Sequence, residues 1–398
     1  MNGFKMELPS DVTFIIDKMH SHGFSAHVVG GSVRDSLIGR ELGDFDITTN
    51  ALPAETKAVF SEYRTVDTGI KHGTVTLVLG GVPYEITTYR IDGDYKDKRH
   101  PHSVTFTASL KEDLARRDFT VNAMAYSDRD GLIDPFDGCG DAEKKLIRAV
   151  GDPMVRFSED ALRILRALRF SSVLGFDIEG RTQEAARALS KNLGAISKER
   201  VYTELKKLIS GADAHTVMKK YADIIASVFE GVRVEGLPEK ALFDRADYLT
   251  RLASVFYLNS LEPVECAERV LLALKTDKFT RTHTISVLSA YNHVSFSSER
   301  EALYALAKYG KDITEGALRL GILLGKFSEA DTEILSYATA SGKPYMISHL
   351  SVRGTDLASL GICGEKIGET LSSLLFAVID GRVENEKNAL VEYASGVK

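Results

Sequence analysis

The chain is 398 residues long, 44% apolar and 27% charged, as in ordinary soluble globular proteins, and it exceeds what one core normally organises, so two or more domains are expected. A formal net charge of -6 excludes the global basic signature of many nucleic-acid binders, so any polyanion must meet a local basic patch. No apolar run is long enough to span a bilayer, MNGFKMELPSDV lacks the apolar core of a secretory signal, and Cys139, Cys266 and Cys363 are too scattered for a disulfide framework or thiolate metal site; a cytoplasmic location is expected.

Ala26 to Val29 reads as a short strand running into Gly30-Gly31, and Ser32 to Ile38 as a helix start carrying Arg34 and Asp35. Such a junction lets backbone N–H groups approach phosphate oxygens, helped by the helix dipole, although most glycine pairs before helices are plain turns. Asp44-Phe45-Asp46-Ile47 alternates like a strand, which puts both carboxylates on one face and Phe45 and Ile47 on the other. Two neighbouring carboxylates repel unless a cation lies between them, and Mg²⁺ takes such hard oxygen ligands together with substrate phosphates. An isolated D-x-D is more often a solvated strand; after GGSVRD it reads as a metal site. Val75 to Leu79 and Tyr84 to Arg90, joined by Gly80-Gly81, predict a β-hairpin. Its second strand carries Glu85, Thr87 and Tyr89 on one face, where Glu85 completes the metal cage, orients an attacking hydroxyl, or is a plain exposed glutamate.

Arg90 to Glu112 is polar with little periodicity and reads as a long loop. In the following RRDFTVNAM, Arg116 and Arg117 stand beside the capping types Asp118 and Thr120, with Asn122 close behind. Forked guanidinium donors suit a triphosphate or a ribose, and a bland surface pair is the usual alternative. A helix is predicted from about Ser158, with Ser158 as N-cap, Ala161, Leu162, Ile164, Leu165 and Leu168 on one side, and Glu159, Arg163 and Arg166 projecting from the other. Salt-bridged solvent-facing helices look the same, yet this wall has a chemical use. Cytosine and adenine each show an amino donor beside a ring acceptor, so Asp160 accepting and Arg163 donating, one turn apart, satisfy either base and mismatch uracil and guanine. Helical spacing then dominates to the C-terminus, with breaks at Ser190 to Gly194 and Gly211 to Asp213 and amphipathic stretches at Val201 to Leu208 and Ile313 to Leu324. The expected fold class is α+β, a mixed-sheet N-terminal domain followed by an elongated all-helical region.

GGSVRD with DFDI, RRDFTVNAM, and GDPMVRFSEDALRILRALRF, in this order, resemble the motifs of the class II tRNA nucleotidyltransferases, or CCA-adding enzymes, of the DNA polymerase beta superfamily. ISKERVYTELKKL is similar to a later helical motif of that family, and GTDLASLGICGEKIGETL to its C-terminal region. The resemblance implies Asp44 and Asp46 as Mg²⁺ ligands in a two-metal transfer, and Gly31, Arg34 and Arg117 on the incoming nucleotide. It further implies Asp160, Arg163, Arg166 and Arg169 in recognition of CTP and ATP, with Arg169 farthest round the helix from Asp160. The whole expected nucleotide site adds Gly30, Arg116, Asp118, Asn122 and Glu159, and Glu85 joins the two aspartates as a catalytic candidate. The implied organisation is a catalytic head over 1–150, a neck over 151–212, a body over 213–300 and a tail over 301–398, the last binding tRNA, whose acceptor stem and elbow the enzyme would hold. The implied reaction is attack of the tRNA 3′ hydroxyl on the α-phosphate with loss of pyrophosphate.

Rival readings are an enzyme adding only A or only CC, a poly(A) polymerase on the same head, and an RNA-binding protein on an inactive transferase fold. Family members that stop after CC tend to lack a mobile loop, whereas this chain keeps one with Asp92, Asp97 and Arg99; both carboxylates of the D-x-D argue against an inactive fold. No adjacent His-Asp pair suggests a hydrolase module. Lys206-Lys207, Lys219-Lys220 and Lys275, Lys278 and Arg281 suit an RNA backbone, though charge runs are usually solvated helix faces, and recognition of tRNA by shape is expected.

Overall fold

β-Branched residues mark the first strands, AHVV in β1 (Ala26–Val29) and DITT in β2 (Asp46–Thr49). The computed structural model, which describes residues 4–92 and 104–396, pairs them antiparallel with Val28 opposite Ile47 and Val29 opposite Asp46. The remaining strands described in the first unit are β3 (Arg64–Gly69), β4 (Thr74–Leu79), β5 (Val82–Thr88), β6 (Arg90–Asp92), β7 (Val104–Phe106), β8 (Ala125–Ser127), β9 (Gly131–Ile133) and the parallel pair β10 (Leu146–Ile147) and β11 (Asp177–Ile178). β1 and β2 join five of these in one seven-stranded mixed sheet in the order β3-β4-β5-β2-β1-β8-β9. The hairpin expected at Gly80-Gly81 is present: both glycines have positive φ, as a tight turn between twisted strands requires, and Leu79 pairs with Val82.

β5 runs parallel to β2 with Ile86 beside Ile47. These two isoleucines, Val28 and Leu77 are buried with Ile15, Ile16 and Met19 of the helix Ser10–Ser21. Side chains alternate along a strand, so Asp46 and Thr48, like Glu85 and Thr87, stand on the opposite face from that core. The polar stretch expected to be a loop is more ordered at its ends: β6 pairs with β7, and a helix, Leu110–Ala115, begins inside it where Ser109 accepts the Glu112 N–H. Asp97 and Arg99 lie outside the described residues, as does the side chain of Asp92.

The helix expected from Ser158 is two helices. Asp152 accepts the Met154 N–H and Pro153 fits the first helical position, so the first helix, Pro153–Glu159, starts earlier than expected. Asp160 then turns extended (φ -140, ψ 103), and the second helix is Leu162–Leu174. Its apolar face is buried as predicted. The segment Ser190–Ala195 is a 3₁₀ turn, and the helix Lys198–Ser210 contains the predicted Val201 to Leu208.

The chain divides into two compact units, Met1–Gly231 and Val232–Lys398. In the second, helices run from Lys240–Arg245 to Lys387–Gly396 around one core that includes Leu303, Leu306 and Leu318 and another with Leu357, Leu374 and Leu375. Among the described residues no helix is long and apolar enough to cross a membrane.

Candidate active site

A cleft of ≈ 530 Å³ in the first unit is lined by Gly30, Gly31, Arg34, Asp46, Arg116, Arg117, Asp118, Asn122, Asp160, Leu162, Arg163, Arg166, Arg169, Phe170 and Arg200. It gathers the Gly30-Gly31 turn after β1, Arg34 of the helix Gly31–Leu37, Asp46 at the start of β2, side chains of the RRDFTVN segment, Asp160 at the helix break, and side chains of the two helices Leu162–Leu174 and Lys198–Ser210. Of the residues expected from sequence, Asp44, Glu85 and Glu159 are not on its wall; Leu162, Phe170 and Arg200 were not expected there.

At the strand end, Gly30 has φ +77, a conformation open to glycine, and a Cβ there would lie 3.1 Å from Nη1 of Arg117. The missing side chain is therefore what lets Arg117 close over the turn. Asp46 opens β2 and is exposed, as is Asp44 in the irregular segment before it, while Phe45 and Ile47 pack into the core. Although solvent reaches Asp46, the cleft hems it in: burial raises its carboxyl, Asp44 adds to this, and the Arg117 charge pulls it down. No group of three or more histidine, cysteine, aspartate or glutamate side chains close enough to hold a metal exists among the described residues, so Glu85 does not form a three-carboxylate cage with the D-x-D. The two aspartates remain the hard oxygen donors here, a set that suits Mg²⁺ when phosphate and water supply the other ligands.

The arginines are tethered from behind. Asp113, fully buried at the end of Leu110–Ala115, contacts Nη2 of Arg116 at 2.8 Å and Nη2 of Arg117 at 3.5 Å, and accepts from the Thr48 hydroxyl at 3.4 Å. Burial lowers Arg117 against the raising field of Asp113. Arg34 donates to both oxygens of Asp35 at 3.0 Å and to Oδ1 of Asn122. Arg166 donates to Oδ2 of Asp118 at 2.7 Å, and Glu204 lies 3.8 Å from Arg166 and 2.8 Å from Arg169. Burial would raise Asp118, but Arg166 and the Asn122 amide outweigh it and hold that carboxyl at about 2. The Phe170 ring gathers three of these cations, with the guanidinium carbons of Arg34, Arg166 and Arg169 at 5.1, 5.4 and 3.9 Å from its centroid.

Asp160 and Arg163 both reach the wall but not as neighbours on one helix. Asp160 sits at the break, with Oδ1 accepting the Leu162 N–H at 3.0 Å and Oδ2 accepting from Arg200 at 2.8 Å. Arg163 donates to Glu159 at 2.6 Å and to the carbonyls of Arg156 and Arg116 at 3.1 and 3.2 Å, so Glu159 contributes by holding Arg163. Arg200 and Glu204 had a sequence signal, charged residues one turn apart in ISKERVYTELKKL beside the apolar face of Val201, Leu205 and Leu208.

Three family models match the chain: a poly A polymerase head domain at residues 26–148, a probable RNA and SrmB-binding site of polymerase A at 175–223, and a putative tRNA nucleotidyltransferase domain 2 at 251–394. The CCA-adding enzyme of Leuconostoc citreum is 37% identical over 397 residues, spanning 96% of this chain and 94% of that relative. The chain belongs to the CCA-adding enzymes, a family of tRNA nucleotidyltransferases. The Geobacillus kaustophilus member is 38% identical over 385 residues, 94% of each chain. A Bacillus stearothermophilus CCA-adding enzyme in complex with CTP superposes with a TM-score of 0.78 at 31% identity, covering 98% of both chains. A Thermotoga maritima CCA-adding enzyme, at 22% identity and a TM-score of 0.66, shares the fold.

Proposed function

We infer that this chain builds the CCA end of tRNA, transferring nucleotides from CTP and ATP to the 3′ hydroxyl with loss of pyrophosphate. The reading rests on one cleft in which Asp46, an arginine cluster and the pair Asp160 and Arg163 meet. The head alone would serve a poly(A) polymerase equally, but the relatives that bear the CCA-adding name match along nearly the whole chain, C-terminal helices included.

Asp44 and Asp46 would hold Mg²⁺, which when bound supplies charge neutralisation at the reacting phosphate and a more acidic attacking hydroxyl. The chain's own part is positioning. Arg116 and Arg117, fixed by Asp113, offer donors to triphosphate oxygens beside Asp46, and Arg34, Arg166 and Arg169 extend that field along the cleft. Asp160 accepts from the amino group of cytosine or adenine while Arg163 donates to the ring acceptor. Glu85, on the Asp46 face of the next strand, would orient the 3′ hydroxyl. The head over 1–150, neck over 151–212, body over 213–300 and tail over 301–398 remain our division of labour, with tRNA held through its acceptor stem and elbow; Lys206, Lys207, Lys219, Lys220, Lys275 and Lys278 are exposed and would meet its backbone.

Extension of tRNA lacking CCA, with CTP, ATP or both, read at single-nucleotide resolution, tests this. Ordered growth by C, C and A that stops there is expected. A long A tail on unrelated RNA would instead assign a poly(A) polymerase, and addition of A only after CC an A-adding enzyme.

A further inference from the structure

Phe279 is the most exposed phenylalanine among the described residues, with 61% of its surface in water. It stands in the first turn of the helix Lys278–Tyr291, just after the four residues that connect it to Pro263–Ala273, and Leu272 before that connection is 60% exposed. A lone surface hydrophobe is ordinary and carries no argument. Here the surroundings carry one. The buried His283, one turn further along the helix, lies against the Phe279 ring with centroids 5.4 Å apart and planes at 40°, so the ring is supported on its inner side and open on the other. Lys275 and Lys278 are exposed on either side of the turn and Arg281 is half-buried beside them, in a chain whose net charge is -6. Asp277 is the one acidic residue between Lys275 and Arg281, and its carboxylate is engaged in capping the helix, accepting the Thr280 N–H and the Thr280 hydroxyl at 2.8 Å each. An open aromatic face among cations suits a polyanion that carries flat rings. The centre of a protein–protein interface is instead poor in lysine.

We propose that Phe279 stacks on a base of the bound tRNA while Lys278 and its basic neighbours meet the flanking phosphates. The proposal rests on the reading that the chain acts on tRNA, and adds a base contact to a helical region so far credited with backbone contacts alone. Bases inside a stem have both faces covered by their neighbours, so the ring can reach only a base in a loop, in a bulge or at the end of a stem. Every base has a π face, so such a contact adds affinity without choosing sequence. That property fits an enzyme whose tRNA substrates differ in sequence and share a shape.

The test is the affinity of the full chain for tRNA lacking CCA, together with KM for that tRNA and for CTP, in Phe279→Ala, Phe279→Leu, Phe279→Tyr and Lys278→Ala, with thermal unfolding as a check on folding. Phe279→Ala is expected to weaken tRNA binding and raise KM for tRNA by roughly five- to hundredfold, the range for one lost base–aromatic stack, with little change in KM for CTP. Phe279→Tyr should bind like wild type and Phe279→Leu, apolar but without a ring face, like alanine; these two decide the matter should the alanine variant not fold. Stacking and charge also separate by salt: Lys278→Ala should lower the slope of log affinity against log salt by about one, and Phe279→Ala should leave it as in wild type. Leucine binding as tightly as phenylalanine overturns the proposal, as does an equal rise in KM for tRNA and CTP. Unchanged tRNA affinity in Phe279→Ala, with a dimer turned into a monomer in sedimentation, assigns the ring to a second copy of the chain and overturns it too. A wild type that extends tRNA with the same KM as Phe279→Ala overturns the proposal alone, whereas a wild type that neither binds nor extends tRNA overturns the CCA-adding reading with it.

Discussion

Asp118 joins the RRDFTVN segment to the helix Leu162–Leu174, and its charge state makes that junction sensitive to pH. Oδ2 meets Arg166 at 2.6 Å, and Oδ1 accepts the Phe119 N–H at 2.9 Å and the Asn122 amide at 3.1 Å. The carboxyl is held at about 2, roughly two units below an unfolded aspartate near 3.9, equivalent to about 2–3 kcal/mol. Because the folded value is the depressed one, this stabilisation is fully present above about pH 4 and fades as pH falls towards 2, with about half left at pH 3. Asp118→Asn mimics the protonated acid in shape. It should therefore cost the Met1–Gly231 unit about 2–3 kcal/mol at pH 7, nearly as much at pH 5 and about half at pH 3. Urea unfolding of both proteins at these pH values, followed by far-ultraviolet circular dichroism, measures the gap. A gap that stays constant from pH 5 to pH 3 would refute the reasoning and assign the loss to amide packing.

Asp46→Asn should leave stability within about 0.5 kcal/mol, since the residue is exposed, while lowering kcat for CTP addition by at least about a hundredfold; comparable activity would remove Asp46 from the metal site. Glu204→Gln withdraws the counter-charge shared by Arg166 and Arg169 and should destabilise the fold by about 2–4 kcal/mol in urea unfolding, more than a surface exchange. Gly30→Ala forces a Cβ into a glycine conformation against Arg117 and should cost about 1–3 kcal/mol while raising KM for CTP and ATP together; an effect on one nucleotide alone would contradict a role at the shared triphosphate end.

Local chemistry made much of this legible. Gly30, Asp46, Arg117 and Asn122 lie in short segments whose glycines, alternation and paired guanidinium groups are visible in one dimension, and the cleft brings them together. Ser158 is a misleading helix start because serine caps well, yet Asp152-Pro153 supplies a cap and a first-position proline six and five residues earlier, and the extended Asp160 separates the two helices. Asp113 gives no signal of its own because it closes a charged stretch, and only packing shows that it is fully buried under two arginines. Phe170 reads as core and is 8% exposed, but its ring faces three cations drawn from two segments. Arg200 and Glu204 are visible in sequence as charged residues one turn apart at the margin of an apolar helical face. Which wall that face joins depends on how Lys198–Ser210 packs on Leu162–Leu174, and periodicity carries no such information.

Among the described residues, seven arginines line the cleft against three aspartates, in a chain whose net charge is -6. Their mutual repulsion is offset from behind, by Asp113 under Arg116 and Arg117, Asp35 beside Arg34, Glu159 on Arg163, Asp118 and Glu204 on Arg166 and Arg169, and Asp160 on Arg200. This arrangement suits guanidinium and not ammonium groups. A guanidinium has about five donors in a rigid fork, so it can bind a carboxylate on one edge and keep the other edge for a phosphate, whereas an ammonium places its three donors on one atom. Donors already fixed by their own counter-ions need little reorganisation when a triphosphate arrives, and little is lost as charge redistributes during transfer. Screening also acts less on partly buried pairs than on exposed lysines. Nucleotide binding at this cleft should therefore fall less with added salt than tRNA binding by the exposed lysines, which follows counterion release along the phosphate backbone.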